Sequence, residues 1–147
     1  MSLLYADSSA LARAYFSDED DHSELRTMLL EGKEPVVTSE IARLELASAV
    51  RVAASGRRVT RFNDLLARID ADFAEGGPIG PIDLRSDVIL PAAYRLVLAH
   101  GLRTLDAIHL AVCVEDCPGF AGDSPIAFVT RDVAQAAAAR TLGLDVR

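Results

Sequence analysis

Residues 3–13 read Leu-Leu-Tyr-Ala-Asp-Ser-Ser-Ala-Leu-Ala-Arg. The apolar run before Asp7 predicts a short buried strand, and a helix is expected to follow it, capped by Ser8 or Ser9. A strand that ends at Asp7 and turns directly into a helix places this carboxylate at the carboxyl edge of a parallel sheet, where α/β proteins bind ligands. The alternative is that Asp7 only caps the helix. Taken alone, the stretch favours the cap.

The order of predicted strands and helices indicates the fold class. Short strands are predicted at residues 3–6, 35–38, 79–82 and 126–129, with a further edge strand at 144–146. Helices are predicted at residues 10–15, 22–30, 40–54, 60–74, 86–99, 104–115 and 131–142, and a loop at 118–125. Because strands alternate with helices, the sequence predicts an α/β/α sandwich around a mostly parallel central sheet of four to five strands.

The chain has 147 residues, half of them apolar, and a net charge of −7. This length fits a single domain spanning residues 1–147 with a sizeable core. The negative charge argues against a protein that coats nucleic acid by bulk attraction, although it does not exclude an enzyme that contacts nucleic acid locally. No apolar run approaches the ~20 residues of a membrane span, and no basic leader precedes the first strand. We therefore expect a cytoplasmic protein without membrane contact.

Glu45 is a second informative acid because it lies on an apolar stripe of the helix predicted at 40–54. The other members of this stripe are Ile41, Leu44, Ser48 and Val52. A carboxylate that faces inward is costly unless it is paired or bound to a cation. The sequence leaves two interpretations open, which are an ion pair with an arginine such as Arg43 or Arg51, and a cation site.

Two Thr-x-Asp motifs supply two more acids. Thr104-Leu105-Asp106 and Thr130-Arg131-Asp132 each open a predicted helix, with Thr as the cap and Asp in the first turn. Asp132 also follows a predicted strand, as Asp7 does. Capping alone explains either motif, but it does not explain four acids at element ends or inward faces of one small domain. Such an all-oxygen cluster suits Mg²⁺ or Mn²⁺, which can activate a water and stabilise phosphoryl transfer.

The histidines and cysteines indicate no competing site. His109 lies on an apolar helix, where a histidine is more often packed than a general base. Ser8 or Ser9 would need a histidine partner to act as a nucleophile, and the sequence places none. Cys113 and Cys117 lack a second ligand pair at zinc spacing, so we expect them to be small core residues.

Four stretches carry a resemblance to a known family. They are Leu4-Tyr5-Ala6-Asp7-Ser8-Ser9-Ala10-Leu11, Thr38-Ser39-Glu40-Ile41-Ala42-Arg43-Leu44-Glu45, Leu105-Asp106-Ala107-Ile108-His109-Leu110-Ala111 and Val129-Thr130-Arg131-Asp132. In this order and spacing, the chain resembles PIN-domain ribonucleases of the VapC toxin type over essentially its full length. The resemblance implies a PIN fold, Mg²⁺- or Mn²⁺-dependent cleavage of RNA, neutralisation by a cognate antitoxin, and a homodimer.

The resemblance also implies roles for individual residues. Asp7, Glu45, Asp106 and Asp132 match the family's catalytic acidic quartet. Asp7 and Asp106 match its principal metal ligands, while Glu45 and Asp132 would bind the metal directly or through water. Thr130 matches the polar residue beside the fourth acid. The expected supporting residues are Ser8 and Thr130.

Two other protein classes remain as alternatives. A PIN-like RNA-binding or scaffold domain without turnover would have a broken acid quartet, whereas this quartet is intact. A phospho-acceptor receiver domain would need a lysine near its end, and the only lysine here is Lys33. We therefore expect RNA as the substrate. The arginines near the quartet in sequence are expected to guide its phosphates, and these are Arg13, Arg43, Arg103 and Arg131.

Overall fold

A parallel five-stranded sheet forms the centre of the protein. The computed structural model describes residues 1–147. Its strands are β1 (Leu3–Ala6), β2 (Val36–Ser39), β3 (Ile79–Ile82), β4 (Ile126–Val129) and β5 (Asp145–Val146). They lie in the order β3-β2-β1-β4-β5, and every neighbouring pair is parallel. Strand β1 is central because Leu4 pairs with Val36 on one side and with Ala127 on the other.

Seven helices cover the two faces of this sheet. They are α1 (Ser8–Tyr15), α2 (His22–Leu29), α3 (Ile41–Ser55), α4 (Phe62–Phe73), α5 (Ser86–His100), α6 (Thr104–Ala121) and α7 (Val133–Thr141). Side chains alternate along β1, so that Leu4 and Ala6 pack with α1 to α4, while Leu3 and Tyr5 pack with α5 to α7. The predicted α/β/α sandwich is confirmed.

Helix α6 is longer than the sequence predicted. It runs through Pro118 to Ala121, so the part of the predicted 118–125 loop before Gly122 is helical. Cys117 and the residue before it are buried, and this packing continues the helix although proline lacks an N–H. Cys113 and Cys117 are free, buried core residues, as predicted. No single helix has the length and apolarity of a membrane span; α5 and α6 reach that level only when counted together across a 117° bend.

Helix α3 turns a different face to the core than the one predicted. Its buried residues are Ala42, Leu46, Val50 and Ala53. Leu44 and Val52, which the predicted stripe contained, are 75% and 68% exposed. The apolar surface of this helix is broad, and packing against α1 and α4 selects the face. Glu45 therefore lies at the border of the buried face, with 19% of its side chain exposed.

Candidate active site

The predicted acids meet where the carboxyl ends of β1 and β4 reach one edge of the sheet. Asp7 follows β1 directly, and Thr130 and Asp132 follow β4. A cavity of about 540 Å³ opens at this edge. Its polar lining consists of Ser8, Ser9, Glu45, Arg103, Thr104, Asp106 and Asp132. Three acids of the quartet thus line one cavity, and the fourth, Asp7, lies next to the lining residues Ser8 and Ser9.

Asp7 is both a helix cap and a buried member of this site. It is 2% exposed, and its Oδ1 accepts hydrogen bonds from the Ala10 N–H (2.9 Å) and the Ser9 hydroxyl (2.7 Å). Its Oδ2 accepts one from the Thr130 hydroxyl. The cap of α1 is therefore Asp7, as the alternative interpretation of this stretch expected, and the predicted cap at Ser8 or Ser9 is wrong.

The surroundings of Asp7 act on its charge in opposite directions. Burial raises the pKa of the Asp7 carboxyl, and the hydrogen bonds from Thr130, Ala10 and Ser9 lower it in part. A carboxylate offers about four lone-pair sites, and these three donors leave about one of them free. A cation close to Oδ2 would stabilise the ionised form.

Asp132 and Asp106 are joined through Gln135. Helix α7 begins at Val133, two residues later than predicted, because Asp132 is its cap and accepts from the Gln135 N–H (2.8 Å). The buried Gln135 side chain donates from Nε2 to the Asp106 carbonyl (2.8 Å). Gln135 was missed by the sequence reasoning. An acid followed three residues later by Gln is the spacing of a capping box, and this signal could have found it.

The threonines of the two Thr-x-Asp motifs do not cap their helices. Thr104 is the first residue of α6, whose cap position is Arg103 without a side-chain bond. The Thr130 oxygen accepts from the Asp132 N–H (3.1 Å), while its hydroxyl proton goes to Asp7. Thr130 therefore connects two acids of the quartet.

Arg103 is the cation of the cavity. Its Nε lies 3.1 Å from Asp106 Oδ2, and its Nη2 lies 3.4 Å from Asp132 Oδ2. The side chain is 81% exposed, so these contacts are solvent-screened and weak. Arg103 bridges the two acids and remains free to exchange them for another anion.

The other three predicted phosphate-guiding arginines lie outside the cavity lining. Arg43 pairs with Asp70 (2.7 Å) beside a separate groove between α3 and α4. Arg131 pairs with Asp21 (2.9 Å) near the start of α2. Arg13 lies on α1 and is not among the lining residues. Of the four, Arg103 alone is placed to meet a group in the cavity.

Glu45 is paired, but with a histidine and a serine instead of the arginine considered from sequence. Its Oε1 lies 2.6 Å from His109 Nε2, and its Oε2 accepts from the Ser8 hydroxyl (2.9 Å). His109 is fully buried, in agreement with a packed histidine, and its Nδ1 lies 2.8 Å from Tyr5 Oη. Sequence reasoning did not identify Tyr5. For His109, the available signal in the sequence was a single polar ring on an otherwise apolar helix.

The site offers carboxylate oxygens, which are the ligands that Mg²⁺ and Mn²⁺ prefer. As the side chains stand, no group of three or more His, Cys, Asp or Glu is arranged to hold one metal ion. Asp7 is turned toward its internal donors, and Arg103 lies against Asp106 and Asp132. The ligand types fit a hard divalent cation, and Arg103 contacts one oxygen of each of these two acids.

The comparisons with known proteins agree with this architecture. The sequence model of the PIN domain matches residues 4–141, which is nearly the whole chain. No curated protein gave a significant sequence match. The matched region contains β2, β3, β4, all of β1 except Leu3, and every acid of the quartet, and it ends before β5. The chain therefore belongs to the PIN domain family.

Proposed function

We propose that this protein is a metal-dependent endoribonuclease that acts in the cytoplasm as the toxin of a VapC-type toxin–antitoxin pair. One observation carries the proposal: Glu45, Asp106 and Asp132 line a single cavity at the carboxyl edge of the sheet, with Asp7 directly beside it. In a PIN domain, a cavity lined by three carboxylates supports a nuclease that uses a divalent metal. The toxin role follows from the resemblance of the four sequence stretches.

The four acids have distinct placements for the proposed chemistry. Asp7 and Asp106 are the proposed principal ligands of Mg²⁺ or Mn²⁺, with Glu45 and Asp132 as direct or water-mediated ligands. When bound, the metal would supply an activated water and neutralise charge on the phosphate. Ser8 and Thr130 support the site because each donates a hydrogen bond to one of these carboxylates.

RNA needs a local cation to approach this acidic cavity, since the chain carries a net charge of −7. Arg103 is the proposed phosphate contact. Its guanidinium is largely exposed and already touches the two acids that would bind metal. Metal at these acids would release Arg103, and its planar donors suit a phosphate oxygen pair.

The test is cleavage of a labelled single-stranded RNA pool by purified protein. Mg²⁺ or Mn²⁺ should support cleavage and excess EDTA should abolish it. Asp106→Asn should lower the rate by about 100-fold or more, the scale expected when one electrostatic group of an active site is removed. Asp123→Asn is the matched control, because Asp123 is an exposed acid beyond the far end of α6.

Three outcomes would contradict the nuclease proposal. Undiminished cleavage in EDTA would exclude metal dependence, and equal rates for Asp106→Asn and Asp123→Asn would exclude the quartet. Metal-independent RNA binding without any cleavage would favour the scaffold alternative.

The proposed antitoxin would carry Arg or Lys into the same cavity, where a cationic side chain could replace Arg103 at Asp106 and Asp132. Co-expression with the product of the neighbouring small gene, followed by pull-down and cleavage assay, tests this partner. A stable complex with suppressed cleavage is expected. A complex that leaves cleavage unchanged would contradict neutralisation at this site.

We also propose a homodimer, on the basis of the resemblance. Sedimentation velocity should give a species of twice the 15.7 kDa chain mass. A single species at the chain mass over the accessible concentration range would contradict the dimer.

A further inference from the structure

We propose that Tyr5 and His109 form a buried hydrogen-bonded relay that fixes the carboxylate of Glu45, so that both are positioning residues of the acidic site. The relay runs from the backbone at the end of β2 to the cavity. Neither Tyr5 nor His109 lines the cavity itself. The positioning role of the relay rests on the proposed nuclease function, because that function is what makes Glu45 a metal ligand. Its geometry stands independently of that function.

The relay is continuous and closed to solvent at its inner end. Tyr5 and His109 are each fully buried, and Tyr5 stacks on Phe128 with ring centroids 5.5 Å apart. The Ser39 N–H donates to Tyr5 Oη (3.1 Å), which lies 2.8 Å from His109 Nδ1. His109 Nε2 then lies 2.6 Å from Glu45 Oε1. Each polar atom of the two rings has a partner.

The hydrogen-bond partners determine which histidine nitrogen carries the proton. Tyr5 Oη already accepts from the Ser39 N–H, and His109 Nδ1 is its other partner. A tyrosine hydroxyl is protonated at neutral pH, because its ordinary pKa is about 10. That proton is satisfied only if it is donated to His109 Nδ1. The ring proton therefore resides on Nε2 and is donated to Glu45.

This direction of the bonds fixes the Glu45 carboxylate from both sides. His109 donates to Oε1 and the Ser8 hydroxyl donates to Oε2, so each oxygen is held once. About half of the four lone-pair sites of the carboxylate remain available. Because Glu45 lies at the border of the buried face of α3, it would otherwise turn toward solvent. The relay also links α3 on one face of the sheet to α6 on the other.

The first experiment reads the tautomer of His109 directly. A long-range ¹H–¹⁵N spectrum of the apo protein contains three histidines, and His22→Gln and His100→Gln variants would assign them. His109 should show the neutral Nε2–H pattern, and Tyr5→Phe should shift its Nδ1 signal while keeping the ring packing. An Nδ1–H pattern, or an Nδ1 signal unmoved by Tyr5→Phe, would overturn the relay.

The second experiment uses two amides of different reach at one position. The amide of His109→Gln extends to the place of Nε2 and can donate to Glu45, whereas the amide of His109→Asn ends near Nδ1 and cannot. Mn²⁺ affinity, measured by calorimetry without RNA, should fall about 10- to 100-fold in His109→Asn, the usual effect of losing a partner of a ligand. His109→Gln should retain most of the affinity. Equal affinities in the two variants would overturn the positioning role.

Tyr15→Phe is the matched control for Tyr5→Phe. The Tyr15 hydroxyl donates to Asp72 (2.9 Å) between α1 and α4, so its removal also costs one partly buried hydrogen bond. It should leave Mn²⁺ affinity and the His109 signals unchanged. If the wild-type protein neither binds Mn²⁺ nor cleaves RNA, the proposed function fails, and the tautomer spectrum still decides the relay.

Discussion

Asp7 shows how one residue combines a structural and a chemical role. As the cap of α1 it satisfies the Ala10 N–H, and as a member of the acid site it is linked to Thr130 after β4. The two interpretations considered from the sequence are therefore compatible, because one oxygen makes the cap and the other accepts from Thr130 at the end of the neighbouring strand β4. The buried charge is costly without a cation, while the cap stabilises the helix.

We predict that Asp7→Asn and Asp7→Ala separate these contributions. Asparagine keeps an oxygen for the Ala10 N–H and loses the buried charge, so the metal-free protein should be at least as stable as the wild type. Alanine removes the cap and should lower the free energy of unfolding by about 1 kcal/mol or more. Urea unfolding monitored by circular dichroism measures both. Equal destabilisation by the two variants would mean that the charge itself stabilises the fold.

At the level of the helices, α3 shows why an inward face is not always evident from a pattern. Its sequence is apolar on several sides, and the predicted stripe through Leu44 and Val52 turned out to be exposed. The observed face, which includes Leu46, packs in the core that Leu4 and Ala6 of β1 form with α1 to α4. This rotation places Glu45 at the rim, where it can reach His109 across the sheet edge.

Two leucines on α3 provide a matched test of this rotation. Leu46 is 1% exposed and Leu44 is 75% exposed. Leu46→Ala should lower the free energy of unfolding by about 2–5 kcal/mol, because it removes buried methyl groups and leaves a cavity. Leu44→Ala should change it by no more than about 0.5 kcal/mol. Chemical denaturation checks both, and the reverse ranking would restore the stripe predicted from sequence.

For the molecule as a whole, the two ends of the chain are joined through one acid. Glu34, just before β2, accepts from the Ser2 N–H (2.7 Å) and from Arg147 (2.9 Å). The hydrogen bond from the Ser2 N–H lowers the pKa of Glu34 below its ordinary value of 4.5, and the contact with Arg147 lowers it further. This contact connects Ser2, which precedes β1, to Arg147, which follows β5.

Because the folded-state pKa of Glu34 is below the unfolded one, its stabilising contribution is complete above about pH 4.5 and is lost as the pH falls through the folded-state value. Glu34→Gln should therefore be less stable than the wild type at pH 7, and the difference should shrink in acid. Thermal melts between pH 7 and pH 3 measure it, with the exposed acid variant Glu75→Gln as control. A difference independent of pH would exclude this linkage.

The sequence by itself determined the class of the fold and the edge at which the site lies. Short apolar runs, helix caps and glycine stops are local signals, so the alternating strands and helices could be predicted to within a few residues. Once the sheet is parallel, Asp7 and Asp132 must lie at the same edge, because both follow strands. The ends of the helices were predicted less accurately. Helix α6, for example, continues past Pro118 because Cys117 is packed in the core.

Only the tertiary structure decided how the polar groups of the site are connected. Thr130 donates to Asp7 across 123 positions of sequence, and His109 meets Glu45 across 64. Local propensity carries no information on such pairs, because their geometry depends on how helices on opposite faces of the sheet rotate and dock. The face of α3, the partners of Arg103 and the Tyr5–His109 relay are all set by this packing. They follow from the long-range contacts that bury each helix, and no segment determines them alone.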